Sequence, residues 1–279
     1  MLFISPWLIG LVWFYLYPFA ASLFYSFFNA TAFGLGSFVG FRNYQLMALD
    51  PLFWRSLLNT IAYTAGSVLL GTFLALSLAL LVPKRRGGSV YRTIFYLPMV
   101  VPFSAVSIIW IWILHPQYGL LNHYLQQFGV SPPGWLSDPK WAMPALVIVS
   151  GWSIGNMLVL YLAGILDIPA ELYEAARLDG ASAWKRLTRI TLPMLSPVIL
   201  FNLIIGLING FQYFVQPYIM TNGGPPDSTL VYPLYLYRNA FQFFRMGYAC
   251  AMGWVLFLVL LVLTAFVLNS SRRWVHYRG

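Results

Sequence analysis

The chain has 279 residues, 60% of them hydrophobic and 8% charged, with a formal net charge of +9. A soluble globular domain is about one-quarter charged, so this composition belongs to a protein embedded in a membrane. The basic residues are divided among several loops with no aromatic-basic groove, which excludes a nucleic-acid surface, and the single cysteine, Cys250, excludes disulfides within the chain.

Apolar stretches near the roughly 20 residues needed to cross a hydrocarbon core predict six spans, at about 3–28, 58–82, 93–114, 143–166, 194–219 and 247–269. Lys and Arg in short loops mark the cytoplasmic side. Lys84, Arg85, Arg86, Arg92, Arg177, Lys185, Arg186, Arg189, Arg272, Arg273 and Arg278 fall on one side, against Arg42, Arg55, Lys140, Arg238 and Arg245 on the other. The expectation is an all-α membrane protein, one transmembrane domain over residues 1–279 with both termini cytoplasmic. The first run is too long for a signal-peptide core and reads as a retained span.

In chain order, the first span carries Pro6 and Pro18, and residues 29–57 form an outside loop with Tyr44, Phe53 and Trp54 as interfacial anchors. The second span is rich in small residues (Ala65, Gly66, Ser67, Gly71, Ala75), which lets helix backbones approach closely. In the third, Pro98 and Pro102 should kink or partly unwind the helix, either as a simple structural kink or as a break of the kind that lies near the substrate path in transporters. His115 and His123, in the second outside loop, have no third ligand at metal-binding spacing. The third outside loop holds a turn cluster, TNGGPPDST, followed by LVYPLYLYRNAFQFF, read as a short helix on the membrane surface.

No lysine follows a glycine in a phosphate-binding loop, and no hydrolase motif is present. All seven acids lie in loops, which disfavours proton coupling. Polar groups within the spans are neutral: Ser150, Ser153, Asn156, Asn202, Asn209 and Gln212. They suit a hydroxyl-rich neutral solute, and they also suit helix–helix hydrogen bonding. Energy for transport then comes from another protein or, as an alternative, from sodium.

Four of the seven acids and four of the sixteen basic residues lie between Asp167 and Pro193. Pro169 opens a short amphipathic helix, Asp179-Gly180 breaks it, and Ser182 caps a second one. Such a hairpin docks into a partner's groove or rests on headgroups. The run EAARLDGASAWKRLTRITLPML resembles the EAA signature of permease subunits of binding-protein-dependent ABC importers. Glu174, Ala175, Ala176, Gly180, Ile190, Leu192 and Pro193 stand at its spacing. ISPWLIG, FVGFRNY, DPLFWRSLLNT, FYLPMVVPFSAVSIIW and TNGGPPDST extend the likeness to the carbohydrate-uptake branch and its maltose-type and glycerol-phosphate-type first permeases.

The resemblance implies a type I ABC importer permease fold in a bacterial or archaeal cell membrane. It implies a second homologous permease, a cytoplasmic ATPase dimer that holds the ATP and Mg, and an extracytoplasmic solute-binding protein. This chain would bind no cofactor or metal itself and would have lipid around it. Residues 167–193 would be the coupling helices, with Glu174 the anchoring acid, Gly180 the close-approach turn and Asp179 beside it. The implied solute is a sugar, oligosaccharide or sugar-like polyol, with another small solute as the alternative. Family landmarks put Met99, Phe103, Ser150, Ser153, Gly206 and Gly210 on the solute pathway, and helical spacing with Asn202, Gly206 and Tyr213 adds Asn209.

Overall fold

The computed structural model describes residues 4–82 and 88–276. Lys84, Arg85, Arg86 and Arg278 lie outside the described residues, as does the first residue of the predicted first span. Within them the regular structure is helical, with only isolated bridges joining Phe28 to Phe38 and Thr31 to Gly34. Four helices are long and apolar enough to cross a membrane, and two bent pairs bring the total to six if each pair is one span.

α1 (Ser5–Ser26) and α2 (Arg42–Leu49) precede α3 (Pro51–Leu81), which is longer at its start than the expected second span. Asp50 caps α3 by accepting the Leu52 N–H at 2.9 Å. Ser56, Thr60, Thr64, Val68, Gly71, Ala75 and Ala79 form one buried stripe along α3. Because lipid tails are as apolar as any side chain, close backbone approach drives association here, and α3 becomes the central post of the bundle.

α4 (Gly88–Tyr96) passes through a 3-10 turn, Leu97–Val100, and α5 (Phe103–Ile113) then leaves at 95°. α6 (Leu120–Gln127) follows in the connection before the next bent pair. α7 (Pro139–Ser150) ends in a second 3-10 turn, Gly151–Ser153, and α8 (Gly155–Leu166) continues at 51°. α9 (Ala170–Leu178) and α10 (Ala183–Arg186) make the charged hairpin. α10 runs through a π turn, Leu187–Thr191, directly into α11 (Leu192–Phe211). Pro193 therefore does not start a separate membrane segment, since the helix continues through it. α12 (Val215–Met220), α13 (Tyr232–Tyr237) and α14 (Met246–Ser271) complete the chain.

Prolines shape these helices in readable ways. The Tyr17 N–H reaches the Val12 carbonyl just before Pro18, and the Leu192 N–H reaches Leu187 just before Pro193. In both, the pyrrolidine ring pushes the preceding turn open into a π turn. Pro197 leaves the Pro193 carbonyl without its helical donor, and the Ser196 hydroxyl donates to that carbonyl at 2.6 Å. Ser196 Oγ also accepts the His276 N–H at 2.8 Å, tying the C-terminal tail to the start of α11.

α14 runs back along α1, with Trp254 Nε1–H donating to Ser22 Oγ at 3.1 Å. Both described ends of the chain therefore lie on the face that carries α9 and α10. On the opposite face, Arg55 and Asn59 of α3 donate to the Pro226, Asp227 and Leu230 carbonyls and strap down the turn that follows residues 215–220. α13 does not lie on a membrane surface as expected, because Tyr232 and Leu234 are fully buried against α3 and α14. The Asp50 carboxylate accepts the Tyr235 and Tyr248 hydroxyls, and burial with that carboxylate holds the Tyr235 phenol up at about 12.

Candidate functional site

Two places emerge, the charged hairpin and the crossing of the two bent spans. The first is the hairpin. α9 closes with Gly180 at φ +69°. The Gly180 N–H donates to Arg177 and the Ala181 N–H to Ala176, at 3.0 and 2.8 Å. This is the Schellman pattern, in which a left-handed residue satisfies the last helical carbonyls. A β-carbon at Gly180 would meet no atom of this chain within 4 Å. Within the chain, glycine is therefore required by its backbone conformation, and the space beyond is open. Ser182 caps α10 by accepting the Lys185 N–H at 3.3 Å, whereas Pro169 sits one residue before the first turn of α9.

The signature divides into two parts. Glu174, Ala175, Asp179 and Gly180 are exposed and Ala176 is half-buried. Ile190, Leu192 and Pro193 are half-buried, with Ile190 packed on the apolar cluster of Leu158, Tyr161, Ile165 and Leu195. The hydroxyls of Tyr173 and Thr191, 2.9 Å apart, pin the first part to the second. The acidic half thus presents a surface and the I-x-L-P half fixes its position.

Leu178 and Trp184 flank the Gly180 turn at 90% and 72% exposure. No part of this chain among the described residues covers these two large apolar side chains. Residue spacing did not single them out. The available signal was a leucine and a tryptophan beside charged neighbours in a segment otherwise read as solvated.

The second place is the crossing of the two bent spans. The Asn156 N–H, freed at the start of α8, donates to Met99 Sδ at 3.0 Å. A β-carbon on Gly155 would lie 2.6 Å from the Phe95 carbonyl oxygen, so the two helix breaks meet backbone to backbone. The proline pair explains the first break. The second contains no proline, and its sequence signal is the Gly151/Gly155 pair.

The expected pathway residues separate on inspection. Met99 and Phe103 are exposed at the first break, and Ser153 is half-buried at the second with Asn156 exposed beside it. Ser150 turns its hydroxyl to the Val147 carbonyl of its own helix at 2.6 Å. Asn209 is exposed near the end of α11. Gly206 and Gly210 face α3 instead: a β-carbon would lie 3.0 Å from Val68 at Gly206 and 2.6 Å from Thr64 at Gly210. These two glycines permit close helix contact, and Asn202 on the same stripe is buried as well. His115 stacks on Tyr118, and His123 pairs with Gln127 at 3.0 Å.

An exposed charged knob on one face and two bent apolar helix pairs share a single helical bundle. The profile of the binding-protein-dependent transport system inner membrane component family matches residues 67–276. This chain belongs to that family. It is 36% identical over 277 residues to the sulfoquinovosyl glycerol transport system permease protein SmoG of Agrobacterium fabrum, covering 98% of this chain and 90% of that protein. It is 35% identical over 279 residues to the lactose transport system permease protein LacF of Rhizobium radiobacter, covering 97% and 93%. The fold matches, with a TM-score of 0.83 and 27% identity, a chain of a bacterial alginate ABC transporter crystallised with an alginate pentasaccharide-bound periplasmic protein. That match covers 97% of this chain and 93% of the other. The chain is thus a multi-pass ABC importer permease and not an enzyme.

Proposed function

We propose that this chain is one permease half of an ATP-driven importer for a sugar, oligosaccharide or sugar-like polyol in a bacterial or archaeal cell membrane. The observation that carries the reading is the exposed Glu174–Gly180 knob, closed by its left-handed glycine and held to the bundle by Tyr173, Thr191 and Ile190. Relatives named for lactose and sulfoquinovosyl glycerol transport support the solute class.

In this reading the knob lies in the cytoplasm and enters a cleft of an ATPase dimer, which holds the ATP and Mg. Glu174 makes a charge-assisted contact there. Gly180 lets the partner approach over open space, and Leu178 and Trp184 supply the apolar contact. A second, homologous permease closes the pathway from the other side, and an extracytoplasmic binding protein delivers the solute. Met99, Phe103, Ser150, Ser153 and Asn209 line the route, with Gly206 and Gly210 setting how closely α11 lies on α3. ATP-driven closure of the ATPase turns the two knobs and switches the halves between inward-open and outward-open states. The chain itself supplies route and coupling.

Proteoliposomes containing both permeases and the ATPase should take up sugar only with ATP and loaded binding protein. Uptake by this chain alone on a sodium gradient would overturn the proposal.

A further inference from the structure

We propose that a cavity behind the coupling knob binds the phosphate headgroup of an anionic phospholipid, a reading that rests on the coupling proposal only for the function it would influence. The cavity, of about 660 Å³, opens between the end of α3, α8 and the inner side of α9 and α10. Its lining is chemically divided. α3 and α8 provide apolar walls, while Arg92 from α4, Arg177 from α9 and Arg186 from α10 converge on it. Among the described residues one carboxylate, Glu174, lines the same space, so three arginines meet a single acid there.

Arg92 Nε is buried without a hydrogen-bond partner among the described residues. A buried charged donor left unpaired is unfavourable, and an acceptor entering from outside relieves it. Arg186 is already oriented, because its guanidinium donates to the Ala181 carbonyl just past the Gly180 turn. Guanidinium forks match the oxygens of a phosphate.

The walls decide the source of that phosphate. Leu80 and Leu166 line the cavity and are also exposed on the sides of α3 and α8, so an acyl chain continuing from a bound headgroup lies along them. Basic pockets of this kind at a membrane surface recruit anionic headgroups. An acidic side chain from a docked protein would match the guanidinium groups and leave the apolar walls uncovered. A bound headgroup would join the start of the broken third span to both coupling helices, making the knob's position sensitive to lipid composition.

The test is native mass spectrometry of the full-length chain released from nanodiscs of equal phosphatidylglycerol and phosphatidylcholine. Wild type should retain phosphatidylglycerol. Arg92→Gln should retain roughly ten-fold less, Arg92→Lys should keep most of it, and Arg189→Gln, which does not line the cavity, should match wild type. Equal retention by Arg92→Gln overturns the proposal. Displacement of the lipid by inorganic phosphate overturns the lipid source in favour of a free anion. Loss of ATPase co-purification by Arg92→Gln with lipid retention unchanged overturns it in favour of a partner's acidic side chain. Glu174→Ala removes the one repelling carboxylate, so it should keep or gain phosphatidylglycerol whatever happens to ATPase binding. Failure of the coupling reading is thereby separated from failure of this one.

Discussion

At the knob, regular helices close their own backbone groups with a Schellman turn and a serine cap, and Leu178 and Trp184 face outward. At the crossing of the bent spans, by contrast, the backbone is opened, and the Asn156 N–H finds a methionine sulfur on the neighbouring break. One place needs a fixed external shape with little support behind it. The other depends on a glycine whose replacement meets a neighbouring main chain. Damage at the crossing should therefore reach both stability and transport, while damage at the knob should reach coupling alone.

The largest effect is expected from Gly155→Leu. Its β-carbon meets the Phe95 carbonyl at 2.6 Å, and overpacking of this kind costs about 1–3 kcal/mol. Both the thermal stability of the purified permease and its uptake should fall. A stable, active variant would remove the distinction between the two regions.

Trp184→Ala and Leu178→Asp come next. Each should weaken ATPase co-purification by roughly ten-fold or more while the melting temperature of the permease alone stays unchanged. Gly180 then sharpens the comparison. Leucine there costs about 1–2 kcal/mol in the left-handed conformation, whereas asparagine tolerates that conformation but adds a side chain. If the partner approaches closely, Gly180→Asn should lose coupling as Gly180→Leu does. If only the turn matters, asparagine should be accepted.

Asn209→Ala should act more mildly. Loss of one neutral hydrogen bond, worth about 1 kcal/mol, should raise the half-saturating sugar concentration several-fold with ATPase assembly intact. The smallest effect is pH-dependent and lies on the face opposite the knob. The Tyr235 phenol is raised by burial and by Asp50 from 10.0 to about 12. Its folded value lies above its ordinary one, so its contribution is complete below pH 10.0 and is lost as pH rises through about 12. Neutral-range uptake should be indifferent to the titration of this group, and Tyr235→Phe, which removes the hydrogen bond to Asp50, should lower stability modestly at neutral pH and flatten the alkaline limb.

Much of the knob was legible because its determinants are local. Helical spacing, a Gly after Asp179 and a Ser at 182 define the turn and cap within a few residues. The proline-driven break in the third span was legible for the same reason, since a ring without an N–H acts on its own turn. The second break was not, because Gly155 gains meaning only from the Phe95 backbone across the contact and Gly151 only from Leu74 of α3. Gly206 and Gly210 were read as lining for the same reason. Spacing places residues on a face, and only the neighbouring helix α3 shows that this face is closed. Leu178 and Trp184 were overlooked because spacing alone does not tell an apolar residue turned to the bundle from one left uncovered, which only its exposure shows.

The most direct measurement of the coupling claim is ATPase retention and ATP-driven uptake by Glu174→Ala in the reconstituted importer. The account predicts a permease of wild-type thermal stability that holds the ATPase roughly ten-fold less tightly and no longer drives uptake. Wild-type ATPase binding and full uptake by Glu174→Ala would contradict it.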